Sequence, residues 1–346
     1  MLDDLKYIHE KDGQDALGIA EKQWQQLEHV FDLGGWRLAS GSVENIVFAG
    51  MGGSALAALV SRSWPGYTLP FEISRDYTIP AYVSAKTLFI ASSYSGNTEE
   101  TIEAMGRARE KGAQIVVIAS GGKMQELAQE YGYPFAQIPG GMQPRHAALY
   151  SLKALVTVLE KAGLVAQESA EAALHEASVF LKNVVTIWRA DVKTEVNPAK
   201  QLALELCGKS PVIYAGPLLF PAAYKWKISF NENAKNVAWC NQFPEFNHNE
   251  FLGWTSHPVD KPYALVELMS SFEHERVSKR FEVSNKLLSG RWPNPHVIEA
   301  KGDNLLEQLL YTIAMGDFVS IYVALLNGLN PTPVDLIEKF KAELNN

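Results

Sequence analysis

Short runs of consecutive apolar residues alternate along this chain with longer stretches in which apolar residues recur every three or four positions. The runs at 45–49 (NIVFA), 71–75 (FEISR), 88–91 (LFIA), 114–119 (QIVVIA) and 135–138 predict strands. Helices are predicted after the first run through about residue 63, after the third to about 111, over 124–131, and from Pro144 to about 162, where proline suits a first helical turn. The grammar then repeats, with strands at 212–215, 237–240, 263–269 and 297–300. Between and after them come helices at 198–207, 220–233, 273–288, 304–326 and 334–344, and a short helix or loop at 245–253. Strands alternating with helices form an open parallel sheet covered on both faces. The prediction is an α/β chain of two domains, each a mostly parallel, doubly wound, flavodoxin-like sheet flanked by helices. Residues 1–165 form the first and 196–346 the second, with a charged, alanine-rich helical connection at 166–195. The first 40 residues read as peripheral helices with Ile19, Trp24, Leu27, Val30 and Phe31 on one packed face.

Composition narrows the class. A chain of 346 residues with 47% hydrophobic residues suits two globular domains. A net charge of −8 argues against nucleic acid or an anionic membrane surface as partner. Cys207 and Cys240 can make no disulfide framework and sit in no Cys-x-x-Cys, which fits a reducing cytoplasm. The acidic, polar start reads as no signal peptide. The apolar run YTIAMGDFVSIYVALL carries Asp317 in its middle and reads as a buried core helix, not a membrane span.

The chemistry concentrates where the third strand ends. LFIASSYSGNTEETIE, at 88–103, runs from a buried strand through hydroxyls and one glycine into an acidic helix start. The unpaired N–H groups and dipole of a helix start favour an anion, and Ser93, Ser95 and Thr98 can add donors to the same oxygens. A plain helix cap is the competing reading of a single Ser-x-x-Glu; several hydroxyls with a glycine after a strand favour a phosphate cradle. A second glycine turn, Gly50-Met51-Gly52-Gly53-Ser54-Ala55, follows the first strand. It also satisfies Gly-x-Gly-x-x-Ala, with Glu72 roughly where a ribose-binding acid stands, so a dinucleotide oxidoreductase is one alternative. Two neighbouring nests suit a compact phosphorylated molecule better.

The pairing of Gly-Met-Gly-Gly-Ser with Ser-Tyr-Ser-Gly-Asn-Thr resembles the sugar isomerase (SIS) domain. Asn231-Glu232-Asn233-Ala234-Lys235, together with Pro244-Glu245-Phe246-Asn247-His248-Asn249-Glu250 and Gly253-Trp254, resembles the bifunctional phosphoglucose/phosphomannose isomerase family. The resemblance spans nearly the whole chain and implies two tandem SIS domains. It implies isomerisation of glucose 6-phosphate, and of mannose 6-phosphate, to fructose 6-phosphate through a cis-enediol, without cofactor. Among residues it implies Glu232 as the base, His248 as the ring-opening group and Arg145 as the enediolate-stabilising cation. Lys341 is implied as the C-terminal lysine on the sugar, with Lys339 close by. Gly53 and Ser54 are implied to sit beside sugar or phosphate, Ser93, Ser95 and Thr98 on the phosphate, and Thr332 as the threonine that admits the mannose epimer. It further implies a homodimer in which His248 reaches the neighbouring subunit's site. Taken alone, Glu232 reads as a solvated helix-end carboxylate and His248 as a loop residue. No His-x-x-x-His pair marks a metal site. The other alternative is a non-catalytic sugar-phosphate sensor, which could dispense with Glu232, Arg145 and His248.

Overall fold

A computed structural model describes residues 1–38, 41–256 and 262–344. The chain forms two compact units: Lys22–Leu181, and Met1–Glu21 together with Lys182–Asn346. These bounds differ from the expected domains at both ends of the first one. The opening helices α1 (Leu5–Lys11) and α2 (Ala16–Lys22) belong, through Glu21, to the C-terminal unit. The tie is polar and specific: Tyr7 donates to the Leu325 carbonyl at 2.7 Å, and Asp3 accepts from the buried Lys200 ammonium at 3.1 Å. Val30, expected on a packed face, is 83% exposed. The N-terminal segment breaks into short helices, so a single helical periodicity does not carry that far.

The first unit opens with α3 (Gln25–Glu28). Its sheet holds β1 (Asn45–Ala49), β2 (Phe71–Ser74), β3 (Thr87–Ser93), β4 (Gln114–Ala119) and β5 (Phe135–Gln137). The order is β2-β1-β3-β4-β5 and every pair is parallel, with Ile46 beside Leu88 and Ile90 beside Val116. Every residue of β3 is buried, as a central strand covered on both faces requires. Helices α4 (Gly52–Ser63), α5 (Glu99–Glu110), α6 (Gly122–Tyr131) and α7 (Ala148–Lys161) supply the crossovers and cover. Pro144 starts a 3-10 turn, Pro144–Ala147, before α7, where one continuous helix was expected. The expected connection is mostly α8 (Ala170–Val184), which buries Ala170, Leu174, Ala177 and Leu181. Glu171, in its first turn, accepts from Lys153 of α7 at 2.9 Å. Up to Leu181 it is therefore a packed layer of the first unit.

The second unit repeats the architecture with fewer strands. Its elements are α9 (Pro198–Leu206), β6 (Ser210–Ala215), α10 (Phe220–Asn233), β7 (Trp239–Gln242), α11 (Glu250–Gly253), β8 (Tyr263–Met269), α12 (Glu275–Leu287), β9 (His296–Glu299), α13 (Leu305–Leu326) and α14 (Asp335–Leu344). The parallel sheet runs β7-β6-β8-β9. Long and apolar enough to cross a bilayer, α13 nevertheless has 94% of its apolar window buried inside the protein, as a core helix does.

Candidate functional site

In the first unit the chain leaves β1 for β2 on one side and returns to β3 on the other. The loops after β1 and β3 therefore part at the place where doubly wound sheets bind ligands. The first turn of α4, just after β1, carries Gly53 and Ser54; the end of β3 and the turn after it carry Ser93 to Thr98; and the Tyr94 N–H donates to Ser54 Oγ at 3.0 Å to join them. Ser93 Oγ lies 2.7 Å from Thr98 Oγ1 and accepts from the Gly96 N–H at 3.2 Å. Ser93 is buried; Ser95 is exposed and its oxygen accepts from the Asn97 N–H at 3.3 Å, a bond that does not use the hydroxyl proton. Thr98 precedes α5 but makes no side-chain cap bond to it, so helix capping does not account for its hydroxyl.

The cradle is braced from behind. Gly96 has φ +69°, and a Cβ there would stand 1.8 Å from the Gly121 carbonyl oxygen, so only glycine fits. The Gly96 carbonyl accepts from Met124 N at 2.9 Å, the Tyr94 carbonyl from Ser120 Oγ at 2.6 Å, and Asn97 Oδ1 from Lys123 N at 2.9 Å. The Tyr94 hydroxyl donates to the Pro139 carbonyl and accepts from Met142 N, both at 3.1 Å, which fixes the approach to Arg145. Burial pushes that phenol's pKa up, against the pull of the Met142 N–H, so it stays neutral. Arg145 is 1% exposed. A Cβ on Gly53 would come within 3.3 Å of the Arg145 backbone nitrogen, so the missing side chain permits that approach. Gly53, Ser54, Ser93, Ser95, Thr98 and Arg145 are thus gathered at one end of one sheet.

In the second unit Glu232 stands in the last turn of α10. On the row facing α13, Lys225 pairs with Asp317 and donates to Ser229 at 2.7 Å; Ser229 donates to Asp317 at 2.8 Å; Asn233 donates to Ser320 at 2.9 Å. Spaced four residues apart, these groups set the rotation of α10. Glu232, one position off the row, is left half-buried. Lys235 follows with φ 51°, and its ammonium donates to the carbonyls of Glu232 (2.9 Å), Asn233 (3.2 Å), Asn330 (3.0 Å) and Pro331 (3.0 Å). One cation at the negative end of α10 thereby ties the Glu232 turn to the Thr332 turn. Thr332 is half-buried and its N–H reaches Asn330 Oδ1 at 3.1 Å. Lys341, on α14, is exposed and pairs with Glu338 at 2.9 Å.

His248 is exposed at the end of a 3-10 turn, Glu245–His248. Its neighbours do the anchoring. Phe246 is buried with Phe243, Tyr214 and Trp292. Asn247 donates to Ser284 at 2.9 Å and accepts from Arg280 at 3.2 Å, while Asn249 donates to Glu245 at 2.9 Å. Glu250 accepts from Asn241 at 2.6 Å and from the Tyr214 hydroxyl. Among the described residues no three His, Cys, Asp or Glu side chains gather as metal ligands.

A family model for the SIS domain matches residues 42–135, and one for the bacterial phospho-glucose isomerase C-terminal SIS domain matches 195–344. The bifunctional phosphoglucose/phosphomannose isomerase of Caldicellulosiruptor bescii is 35% identical over 327 residues, covering 92% of this chain and 96% of that protein. The chain belongs to the bifunctional phosphoglucose/phosphomannose isomerase family. A protein of Sulfolobus acidocaldarius described as a D-glucosamine-6-phosphate 4-epimerase is also 35% identical, over 65% of this chain and 69% of its own length. Among solved structures, a glucose-6-phosphate isomerase like protein from Thermus thermophilus superposes with a TM-score of 0.64 at 21% identity, covering 97% of this chain and 98% of that one; this likeness shows a shared fold.

In this member of the isomerase family, the groups that brace the candidate site carry little signal in the sequence. In the sequence, Tyr94 is one residue of the cradle stretch and Lys235 one residue of the 231–235 motif, with nothing that sets either apart. The brace at Ser120-Gly121-Gly122-Lys123 does carry a signal, because a second small-residue turn ends the neighbouring strand β4.

Proposed function

We propose that this protein interconverts glucose 6-phosphate and fructose 6-phosphate, and mannose 6-phosphate and fructose 6-phosphate, by proton transfer through a cis-enediol. The first-unit cradle takes the phosphate: Ser93, Ser95 and Thr98 with the N–H groups of the α5 start, and Gly53 and Ser54 from the neighbouring turn. Glu232 removes the proton from C2 of the open aldose and returns it to C1. The reverse transfer regenerates either aldose, because glucose and mannose share one enediol. Arg145 stabilises the enediolate oxygen; its burial keeps water from screening it. His248 opens the sugar ring, acting in the site of a second subunit, a reading supported by its exposure beside the buried anchors Phe246 and Trp254. Exposed Leu336, Phe340 and Leu344 on α14 support a homodimer. Lys341 contacts the sugar and Thr332 admits the mannose epimer. Free Cys207 and Cys240 support a cytoplasmic setting.

The observation that carries this reading is the Ser93–Thr98 cradle, built at the sheet's switch point and braced from three sides in a chain of this family. The test is solvent-proton exchange at C2 of the aldose phosphates formed from fructose 6-phosphate. Glu232→Gln should slow exchange and turnover at least ~10³-fold, the upper range for a general base, while inorganic phosphate affinity holds. Undiminished exchange removes Glu232 from the reaction. Wild-type enzyme that exchanges nothing at C2 but alters C4 would be an epimerase instead.

A further inference from the structure

The second unit buries a carboxyl group that the reaction does not use. Glu267, on β8, is 1% exposed. One oxygen, Oε2, accepts from Asn285 Nδ2 of α12 at 2.9 Å. The other, Oε1, is buried with no hydrogen-bond partner among the described residues, and the same is true of Asn285 Oδ1. Two acceptors on two planar groups already joined by one bond are therefore both without a donor. A buried acceptor left unsatisfied bears its full desolvation penalty. A single proton on Glu267 removes both deficits, because a carboxylic acid and a carboxamide can pair through two parallel hydrogen bonds.

We propose that Glu267 is a neutral carboxylic acid whose Oε1–H donates to Asn285 Oδ1, and that this two-point pair is a positioning device for His248. The route to His248 is short. Asn285 follows Ser284, which accepts from Asn247, and Arg280, one turn earlier on α12, donates to Asn247; His248 comes next in the chain. Among the described residues, Asn285 is the one group bonded to the Glu267 carboxyl, and no cation pairs with it. On β6 the residue in register is Tyr214, whose phenol burial and the nearby Glu250 carboxylate keep protonated. On β9 the residue in register is Val297. On α12 the bonded partner is Asn285, and the Glu250 carboxylate near Tyr214 is itself bound by Tyr214 and Asn241. Burial pushes the Glu267 carboxyl up to about 7, against the smaller opposite pull of the Asn285 amide.

The sign of the linkage follows. A carboxyl whose folded pKa lies above its unfolded value stabilises the fold relative to an ionised group below the unfolded pKa. That advantage is lost as pH rises through the window between the unfolded value, 4.5, and about 7. Glu267→Gln keeps the shape and both hydrogen bonds without the ionisable proton.

The experiment is a pair of pH profiles on the full-length protein, for melting temperature and for kcat, on wild type and Glu267→Gln. The melting temperature of the variant, relative to wild type, should climb between pH 5 and pH 8 and then level. Wild-type kcat should carry an alkaline-side loss that the variant lacks, with KM for fructose 6-phosphate moved less than twofold. Infrared difference spectra, wild type minus variant, should show a protonated carboxyl carbonyl at pH 6. A carboxylate band there, or a melting-temperature difference that is flat with pH, overturns the proposal. The kinetic arm rests on the reading of His248 as the ring-opening residue; the melting and infrared arms do not. A positive melting arm with a featureless kcat profile would refute the positioning role while leaving the buried acid.

Discussion

Both units contain a parallel sheet whose strand order reverses once, and the two reversal points are filled in opposite ways. In the first unit, between β1 and β3, the chain presents hydroxyls and backbone N–H groups, and among the described residues no carboxylate is bonded to the cradle's donors. In the second, between β6 and β8, the corresponding turn after β6 is already occupied by the chain. Glu273 accepts from the Leu218 N–H at 3.2 Å, and a Cβ on Gly216 would fall 2.1 Å from the same carboxylate oxygen. One nest is closed by an internal anion and the other is not, and Glu232, proposed as the base, stands in the last turn of α10. On the proposed reading, repetition of one fold serves a binding half and a reacting half.

The contrast breaks most severely at Gly96. Gly96→Ala puts a Cβ into the Gly121 carbonyl at a positive φ, where left-handed backbone alone costs an ordinary residue about 1–2 kcal/mol. The whole Ser93–Thr98 loop must shift. Affinity for both inorganic phosphate and fructose 6-phosphate should fall by more than ~100-fold, the equivalent of about 2.7 kcal/mol, measured by calorimetry. Retained phosphate affinity would mean that the cradle tolerates displacement and that its hydroxyls are not the binding element.

On the reacting side the sharper probe is Lys235. Lys235→Met removes the ammonium that spans the Glu232 and Pro331 carbonyls but leaves the cradle untouched. Solvent can replace part of what is lost, because Lys235 is exposed. A drop in kcat of about tenfold is expected, on the scale of one charge-assisted hydrogen bond, with inorganic phosphate affinity unchanged. Equal losses in kcat and phosphate affinity would show that the lysine supports the fold generally and does not act on the Glu232 turn.

The same division explains what could be read from the chain. The cradle was legible because it is local: β3, Ser93, Ser95 and Thr98 are contiguous, and their role depends on backbone geometry that small residues advertise. Strand runs such as 114–119 were legible because a buried parallel strand leaves an unbroken apolar run. What sets Glu232 was not legible. Asp317 lies 92 positions from Lys225, and Pro331 lies 96 from Lys235, so no spacing rule connects them. The burial of Arg145 was not legible either, because no apolar periodicity marks a lone arginine as a core residue. Its turn is a short 3-10 segment ahead of α7, and its side chain is buried. The N-terminal segment misled for the converse reason. Its apolar spacing is real, but Tyr7 and Asp3 are claimed by residues of the C-terminal half, a pairing that only the folded chain reveals.

The smallest effect is expected at Glu273, and it tests the comparison most directly. If this carboxylate only fills an obsolete nest, Glu273→Gln should leave kcat and KM within about twofold of wild type, as substitutions outside a site usually do. The side chain also accepts from the His274 N–H at 3.1 Å, next to the start of α12, so glutamine preserves the shape and a carbonyl acceptor while removing the charge. The decisive readout is phosphate stoichiometry by calorimetry. Wild type should bind one phosphate per chain. Glu273→Ala, which opens the turn above Gly216, should reveal a second, weak phosphate sensitive to salt, since it rests on helix N–H groups without a cation. Should Glu273→Ala stay at one phosphate up to millimolar concentration, the β6–β8 turn would lack the capacity to bind an anion, and the difference between the units would lie in backbone geometry and not in the plug.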